Sequence, residues 1–152
     1  MITAEAKEIS EIGKEVLRIE SETIHGLIGK IHDSFASAVS AIVECTGVIV
    51  VTGMGKTGII AQKISATFAS TGTPSIFLHP AEAAHGDLGR IRSNDLVLAL
   101  SNSGETQEIL RLIEPIKSMG LTLISICSQV NSSLGKVSDM VLEIGDITEA
   151  CP

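Results

Sequence analysis

Two hydrophobic periods divide the chain. Between residues 3 and 44 the apolar positions recur at helical spacing: Ile9, Ile12, Val16 and Ile19 form one stripe, and Leu27, Ile31, Phe35, Val39 and Ile42 form another. This predicts two helices with a break near Gly26 and Gly29. Beyond Gly47 the apolar residues come instead as short continuous runs, at 48–51, 75–78, 96–100, 121–127 and 140–144. Runs of that length predict strands, and the first, Val48-Ile49-Val50-Val51, reads as buried on both faces. Helical segments are predicted between them at 58–70, 105–119 (despite Pro115) and 132–137. Strands alternating with helices predict an α/β domain over 47–152, with a parallel sheet and right-handed crossovers, preceded by a helical lead-in over 1–46. A lead-in of this length packs either on its own domain or on a partner subunit.

An open parallel sheet binds ligands outside the carboxyl ends of its strands. Small or polar residues follow each predicted strand there. Gly53-Met54-Gly55-Lys56-Thr57-Gly58 follows the first, and His79-Pro80-Ala81-Glu82 through His85-Gly86-Asp87 follows the second. Ser101-Asn102-Ser103-Gly104-Glu105-Thr106 follows the third, and the last strand runs out toward Asp146 and Glu149. Several polar groups are therefore expected on one edge.

Composition narrows the partners. The chain has 152 residues, enough for one domain with a real core, and 44% are hydrophobic. Only three are Phe, with no Tyr or Trp, so the core is aliphatic. Against 18 acids stand 11 Lys and Arg, a net charge of -7. The chain lacks the rings and the overall charge of a nucleic-acid binder. An anionic ligand would need local donors, because the global field repels it. Cys45, Cys127 and Cys151 are an odd count without CxxC spacing, which predicts free thiols in a reducing cytoplasm. Residues 1–11 are acidic rather than basic, unlike a signal peptide, and no apolar stretch reaches the roughly 20 residues of a membrane span.

The first glycine run matches G-x-G-x-x-G between a strand and a helix, where backbone N–H groups approach a phosphate closely. A nucleotide-triphosphate loop would need a glycine at position 50, which is Val50. A dinucleotide site would want an acid at the end of the second strand; His79 stands there, with Glu82 beyond. A small phosphorylated ligand, held near Gly53, Gly55 and Thr57, is the third reading, beside the weakened dinucleotide reading and the plain alternative of a tight turn. In the second run, Ser101, Ser103 and Thr106 place three hydroxyls, with Asn102, at a predicted helix start, which suits a monophosphate; ordinary capping by Ser103 is the bland account. Glu105 and Glu108 fall in the first turn of that helix, where they either complement its dipole or supply one carboxylate as a general base. His79 and His85, with acids nearby, could bind zinc, but their spacing is not a metal pattern and ligand contacts are the better reading. His25 and His32, on the lead-in, have solvated or interface roles by default.

Taken together these segments resemble the sugar isomerase (SIS) domain and, within it, the arabinose-5-phosphate isomerases. The matching stretches are Gly-Met-Gly-Lys-Thr-Gly at 53–58, Ala-Thr-Phe-Ala-Ser-Thr-Gly-Thr-Pro-Ser at 66–75, His-Pro-Ala-Glu-Ala-Ala-His-Gly-Asp-Leu-Gly at 79–89, Ser-Asn-Ser-Gly-Glu-Thr at 101–106 and Glu-Ala-Cys-Pro at 149–152. The serine run marks sugar isomerase domains generally; the histidine loop and the ending are narrower. The resemblance implies a flavodoxin-like three-layer α/β/α sandwich with a five-stranded parallel sheet, and usually a tetramer. It implies interconversion of D-ribulose 5-phosphate and D-arabinose 5-phosphate, on the way to the eight-carbon acid sugar 3-deoxy-D-manno-octulosonate of lipopolysaccharide. By motif, Lys56, Glu108 and Glu149 are the implied catalytic positions. Gly72, Thr73, His79 and His85 are implied substrate contacts. His79 is also an implied site for an inhibitory zinc, and no cofactor or metal is implied for turnover. Such enzymes continue past Pro152 through a Ser/Thr-rich segment, a closing helix with another catalytic histidine, and often a pair of nucleotide-sensing modules, so a truncated chain is expected. Two alternatives accompany the resemblance: a hexulose- or heptose-phosphate isomerase, and a non-catalytic sugar-phosphate sensor, which would not need Lys56 or Glu149.

Overall fold

Five-residue apolar runs cannot face water on either side, and in the computed structural model, which describes residues 4–150, two of them form the centre of a sheet. Strands β1 (Ile49–Gly53) and β3 (Leu96–Leu100) are buried at every position. Flanking them are β2 (Ser75–Leu78), β4 (Thr122–Cys127) and β5 (Met140–Glu143). The order is β2-β1-β3-β4-β5, and all four pairings are parallel. Cys151 and Pro152, which end the Glu-Ala-Cys-Pro run, lie outside the described residues.

The pleat sorts the runs into two cores. Val50, Val97, Ala99 and Leu123 face one side with Ala83, Ile109, Leu112, Ile116 and Leu134. Those partners belong to α4 (Pro80–Ala84), α5 (Gln107–Ser118) and α6 (Ser133–Val137). Ile49, Val51, Leu96, Leu98 and Ile124 face the other side with Ala38 and Ala61, which lie on α2 (Asp33–Glu44) and α3 (Gly55–Ser70). The three-layer α/β/α arrangement follows from runs that are apolar on both faces.

The lead-in breaks where the glycines stand: α1 (Ala4–Gly26) ends in a 3-10 turn (Leu27–Lys30) before α2. Only α2 covers the sheet. The α1 stripe is largely uncovered, with Ile9 64% and Ile12 59% exposed. The two helix starts nearest the candidate site differ from the sequence reading. The glycine-rich turn is tighter than expected, so α3 starts at Gly55 rather than 58. The segment 101–106 stays irregular and α5 starts at Gln107 rather than 105. A short helix not anticipated from sequence, α4, begins with Pro80 at its first position and is capped by His79, whose Nδ1 accepts the Ala81 N–H at 3.3 Å.

Two aspartates tie down the amino edge of the sheet, opposite the candidate ligand edge. Asp95 accepts the N–H groups of Val48 at 2.9 Å and Arg92 at 2.7 Å. Asp139 accepts the Leu123 N–H at 2.8 Å and pairs with Lys117 at 2.7 Å. Burial pushes the Asp139 carboxyl up, but the Leu123 N–H and the Lys117 ammonium outweigh it and hold it below the ordinary value of 3.8. A depressed carboxyl contributes stability that is present above its unfolded-state value and lost as pH falls through the folded one. Asp139→Asn is therefore expected to cost on the order of 1 kcal/mol at pH 7, most of the charge being solvent-screened. Thermal melts at pH 7 and pH 3 check this: the Tm deficit should shrink at pH 3, and an equal deficit at both rules out the ionised carboxylate as its source.

Candidate active site

The two runs expected to hold an anion lie side by side, because β1 and β3 are neighbours. β1 ends at Gly53 and the chain reverses through Gly55, whose φ of +58° is disfavoured for other residues. Gly53 and Gly58 pack strand end against helix start: a Cβ on Gly58 would stand 2.7 Å from the Gly53 carbonyl oxygen. Met54, the residue before α3, offers no side-chain cap, and the first turn carries no acid. Among the described residues nothing accepts the N–H of Gly55, Lys56 or Thr57. This start of α3 thus presents free donors and a partial positive charge, with Lys56 in the same first turn.

The 101–106 loop is built differently from a capped helix start. Ser101, buried, shares a 2.8 Å hydrogen bond with the Thr106 hydroxyl and accepts the Gly104 N–H at 3.1 Å. Ser103 accepts the Glu105 N–H at 3.2 Å. No side chain caps α5 at Thr106. Among the described residues the N–H groups of Asn102, Ser103, Thr106, Gln107 and Glu108 have no acceptor. Five free donors and three hydroxyls around one loop suit a tetrahedral dianion. Gly104, at φ +68°, lies against Ser132, and any Cβ there would collide with the Ser132 side chain.

The two glutamates separate. Glu105 precedes α5 rather than lying in its first turn, and its carboxylate accepts the Ser133 N–H at 2.7 Å. That N–H, chiefly, holds its carboxyl below the usual range. Glu108 does lie in the first turn of α5, half-buried, with no hydrogen bond to any described residue.

A groove of about 580 Å³ runs along this carboxyl edge. Lys56, Thr57, Ser101, Asn102 and Glu149 line it, between walls of Ile59, Ile60, Leu100, Ile126, Ile144 and Ile147. Lys56 and Glu149, 93 positions apart by their numbers, thus share one cavity. His79 stands half-buried at the end of β2, its ring edge-on to Phe77 at 6.3 Å, and His85 is exposed at the far end of α4. Gly72 and Thr73 lie at the opposite, amino edge, where Thr73 borders an apolar cavity with Phe35, Val39 and Phe68. Within one chain they do not meet the groove. Their position just before a predicted strand was signal enough to place them there. Asp146 turns toward α1, beside Lys30 and Thr23. No three His, Cys, Asp or Glu side chains among the described residues are grouped to hold a metal ion.

Sequence reasoning missed the isoleucine walls and two hydroxyls. Thr52 and Ser125 are 1% and 0% exposed and have no hydrogen-bond partner. They flank Ala99 in one cross-strand row, two residues below Ser101.

Residues 42–149 match the SIS domain. The chain is 50% identical over 145 residues to arabinose 5-phosphate isomerase KdsD of Yersinia pestis and 47% identical to KdsD of Escherichia coli K12. Each alignment covers 95% of this chain but 44% of the relative, so the chain spans less than half the length of these enzymes. Among solved structures, E. coli CFT073 c3406 in complex with arabinose 5-phosphate superposes with a TM-score of 0.91 at 42% identity, covering 95% of this chain and 77% of that one. The Vibrio vulnificus NanR protein complexed with ManNAc-6P, at 18% identity and a TM-score of 0.74 over 94% of this chain and 53% of its own, shares the fold alone.

The donors make a direct prediction. Titrating inorganic phosphate should shift the amide resonances of Asn102, Ser103, Thr106 and Gln107. Ser103→Ala should weaken that binding about three- to tenfold, the loss of one hydrogen bond. Ser37→Ala, on the exposed face of α2, should leave it unchanged. Equal effects of the two substitutions would remove the loop from consideration.

Proposed function

From the premise that the chain belongs to the SIS domain family, we propose that it is an aldose–ketose isomerase interconverting D-arabinose 5-phosphate and D-ribulose 5-phosphate. The observation that carries this reading is the shared groove: Lys56, Ser101, Asn102 and Glu149 line one cavity beside a loop of free N–H donors. The loop at 101–107 takes the phosphate and fixes the sugar's far end. The reacting carbons then lie along the groove. A carboxylate removes the proton from the carbon beside the carbonyl, giving an enediolate, and returns it to the neighbouring carbon. Glu149 shares the groove with Lys56, which favours it for that transfer; Glu108, at the phosphate loop, suits proton exchange with the sugar hydroxyls during ring opening. Lys56 stabilises the oxyanion as it develops, where a fixed charge counts most. The isoleucine walls set apolar surface along that groove.

The setting follows the same reading. The product feeds 3-deoxy-D-manno-octulosonate and lipopolysaccharide synthesis in the cytoplasm, with no cofactor required. Among the described residues no helix is long and apolar enough to cross a membrane. The exposed Ile9, Ile12, Phe35, Val39 and Val43 support assembly into a homo-oligomer, a tetramer in this reading. Any part that Gly72 and Thr73 play in binding is then at the site of a neighbouring copy, because the sheet separates them from their own groove.

Steady-state kinetics and solvent-deuterium exchange into arabinose 5-phosphate test the assignment. Lys56→Ala should lower kcat far more than it raises KM. Glu149→Gln should slow exchange by about a hundred- to ten-thousand-fold. Glu108→Gln should slow turnover from the cyclic sugar more than exchange from the open chain. Exchange at the parent rate in both glutamine variants excludes both as the base. Binding of arabinose 5-phosphate without exchange in the parent makes the domain a sensor rather than an enzyme.

A further inference from the structure

Four hydrogen bonds lace the phosphate loop to the end of β4 and the chain that follows it. The Ser101 N–H donates to the Ile126 carbonyl at 3.0 Å, and the Ser128 N–H donates to the Asn102 carbonyl at 2.8 Å. The Leu134 N–H donates to the Gly104 carbonyl at 3.0 Å. These three join main chain to main chain. The fourth, from the Ser133 N–H to the Glu105 carboxylate at 2.7 Å, uses a side chain. Ser133 is the first residue of α6, and the capping hydroxyl of Ser132 is already spent on the Gly135 N–H at 3.1 Å. Glu105 supplies the acceptor that the cap does not.

The charge balance makes this contact informative. An acid in the middle of an anion-binding loop should weaken anion binding, since like charges at short range repel. Glu105 instead turns outward from the donors and commits its charge to α6, where a helix start stabilises it. Resting on the sugar-phosphate reading of this loop, we propose that Glu105 is a positioning residue: through the Ser133 N–H it holds the 101–106 loop in the shape that leaves the Asn102, Ser103 and Thr106 N–H groups open to phosphate. Gly104, seated on Ser132 with no room for a Cβ, is the fixed point about which the loop would otherwise pivot.

The sign of one substitution separates this role from a simple charge effect. Glu105→Ala removes a negative charge beside the site, so electrostatics alone predicts tighter phosphate binding. Positioning predicts weaker binding, about three- to tenfold for one lost hydrogen bond. Glu105→Gln keeps an acceptor for the Ser133 N–H and should bind as well as the parent or better. Ser133→Pro deletes the donor from the other side. Proline is well tolerated at the first helical position, and Ser132, at φ -62° and ψ 164°, already has a backbone suited to precede it. It should reproduce the Glu105→Ala loss, and the double variant should lose no more than either single one.

Each protein is titrated with inorganic phosphate, read at the Asn102 and Ser103 amides, and then assayed with arabinose 5-phosphate. The expected result is weaker phosphate binding in Glu105→Ala and Ser133→Pro, rescue in Glu105→Gln, and a raised KM with kcat within about twofold of the parent, since the phosphate is bound alike in ground and transition states. Unchanged or tighter binding in Glu105→Ala overturns the proposal, as do equal losses in Glu105→Ala and Glu105→Gln, or a parent whose loop amides ignore phosphate. The titration is independent of turnover. The expected binding pattern without isomerisation keeps the positioning role and removes the enzyme, whereas isomerisation without that pattern does the reverse.

Discussion

The structure depends on one topological constraint: the crossover connections are right-handed, and the strand order reverses direction between β1 and β3. The connection from β1 to β2 therefore runs through α3 on one face of the sheet, and that from β3 to β4 runs through α5 on the other. Neighbouring strands send their chains apart, and a crevice opens between the two departures. Both helix starts border it with their first N–H groups unpaired. The buried, two-sided strands, the two aliphatic cores and the location of the groove all follow from this arrangement.

For a chain of net charge -7 the proposed phosphate binding poses a local problem, and the placement of its acids suits it. The first turn of α3 carries none, and Lys56 stands there instead. Asp95 and Asp139 are spent at the amino edge on backbone N–H groups and on Lys117. Glu105, the one acid inside the phosphate loop, is turned to α6. What remains in the groove and beside the 101–107 loop are donors, hydroxyls and the two carboxylates, Glu149 and Glu108, that the proposed chemistry uses. The field at the groove is set by placement within a few ångströms, not by the total charge.

The glycines divide between conformation and contact. Gly55 and Gly104 need positive φ, which a side chain would oppose. Gly53 and Gly58 need no unusual backbone; they allow the end of β1 and the start of α3 to touch. Together they bring main-chain N–H groups within reach of a small anion. The walls on the other side of the groove are isoleucines from α3, β4 and the segment after β5. An apolar wall beside a lysine is a useful combination: it leaves the ammonium as the nearby charge for the proposed oxyanion.

Much of this was legible in the sequence. Runs such as Leu96-Val97-Leu98-Ala99-Leu100 can be little else than two-sided strands, because their length and apolarity fit no surface element. Five such runs alternating with helical stretches determine a parallel sheet, and a parallel sheet determines which loops share an edge. That reasoning placed the segments carrying Lys56, His79, Ser101, Asn102 and Glu149 on one edge; the structure puts Gly72 and Thr73 at the other. The direction of single side chains was not legible. Glu105 and Glu108 looked alike as acids near a helix start. Only the approach of Ser133, 28 residues on, turned one of them away. Likewise α4, the unpaired hydroxyls of Thr52 and Ser125 and the isoleucine walls depend on which distant segments come into contact. Local sequence encodes period and burial; the pairing of one polar atom with another is decided by tertiary approach, which no local pattern records.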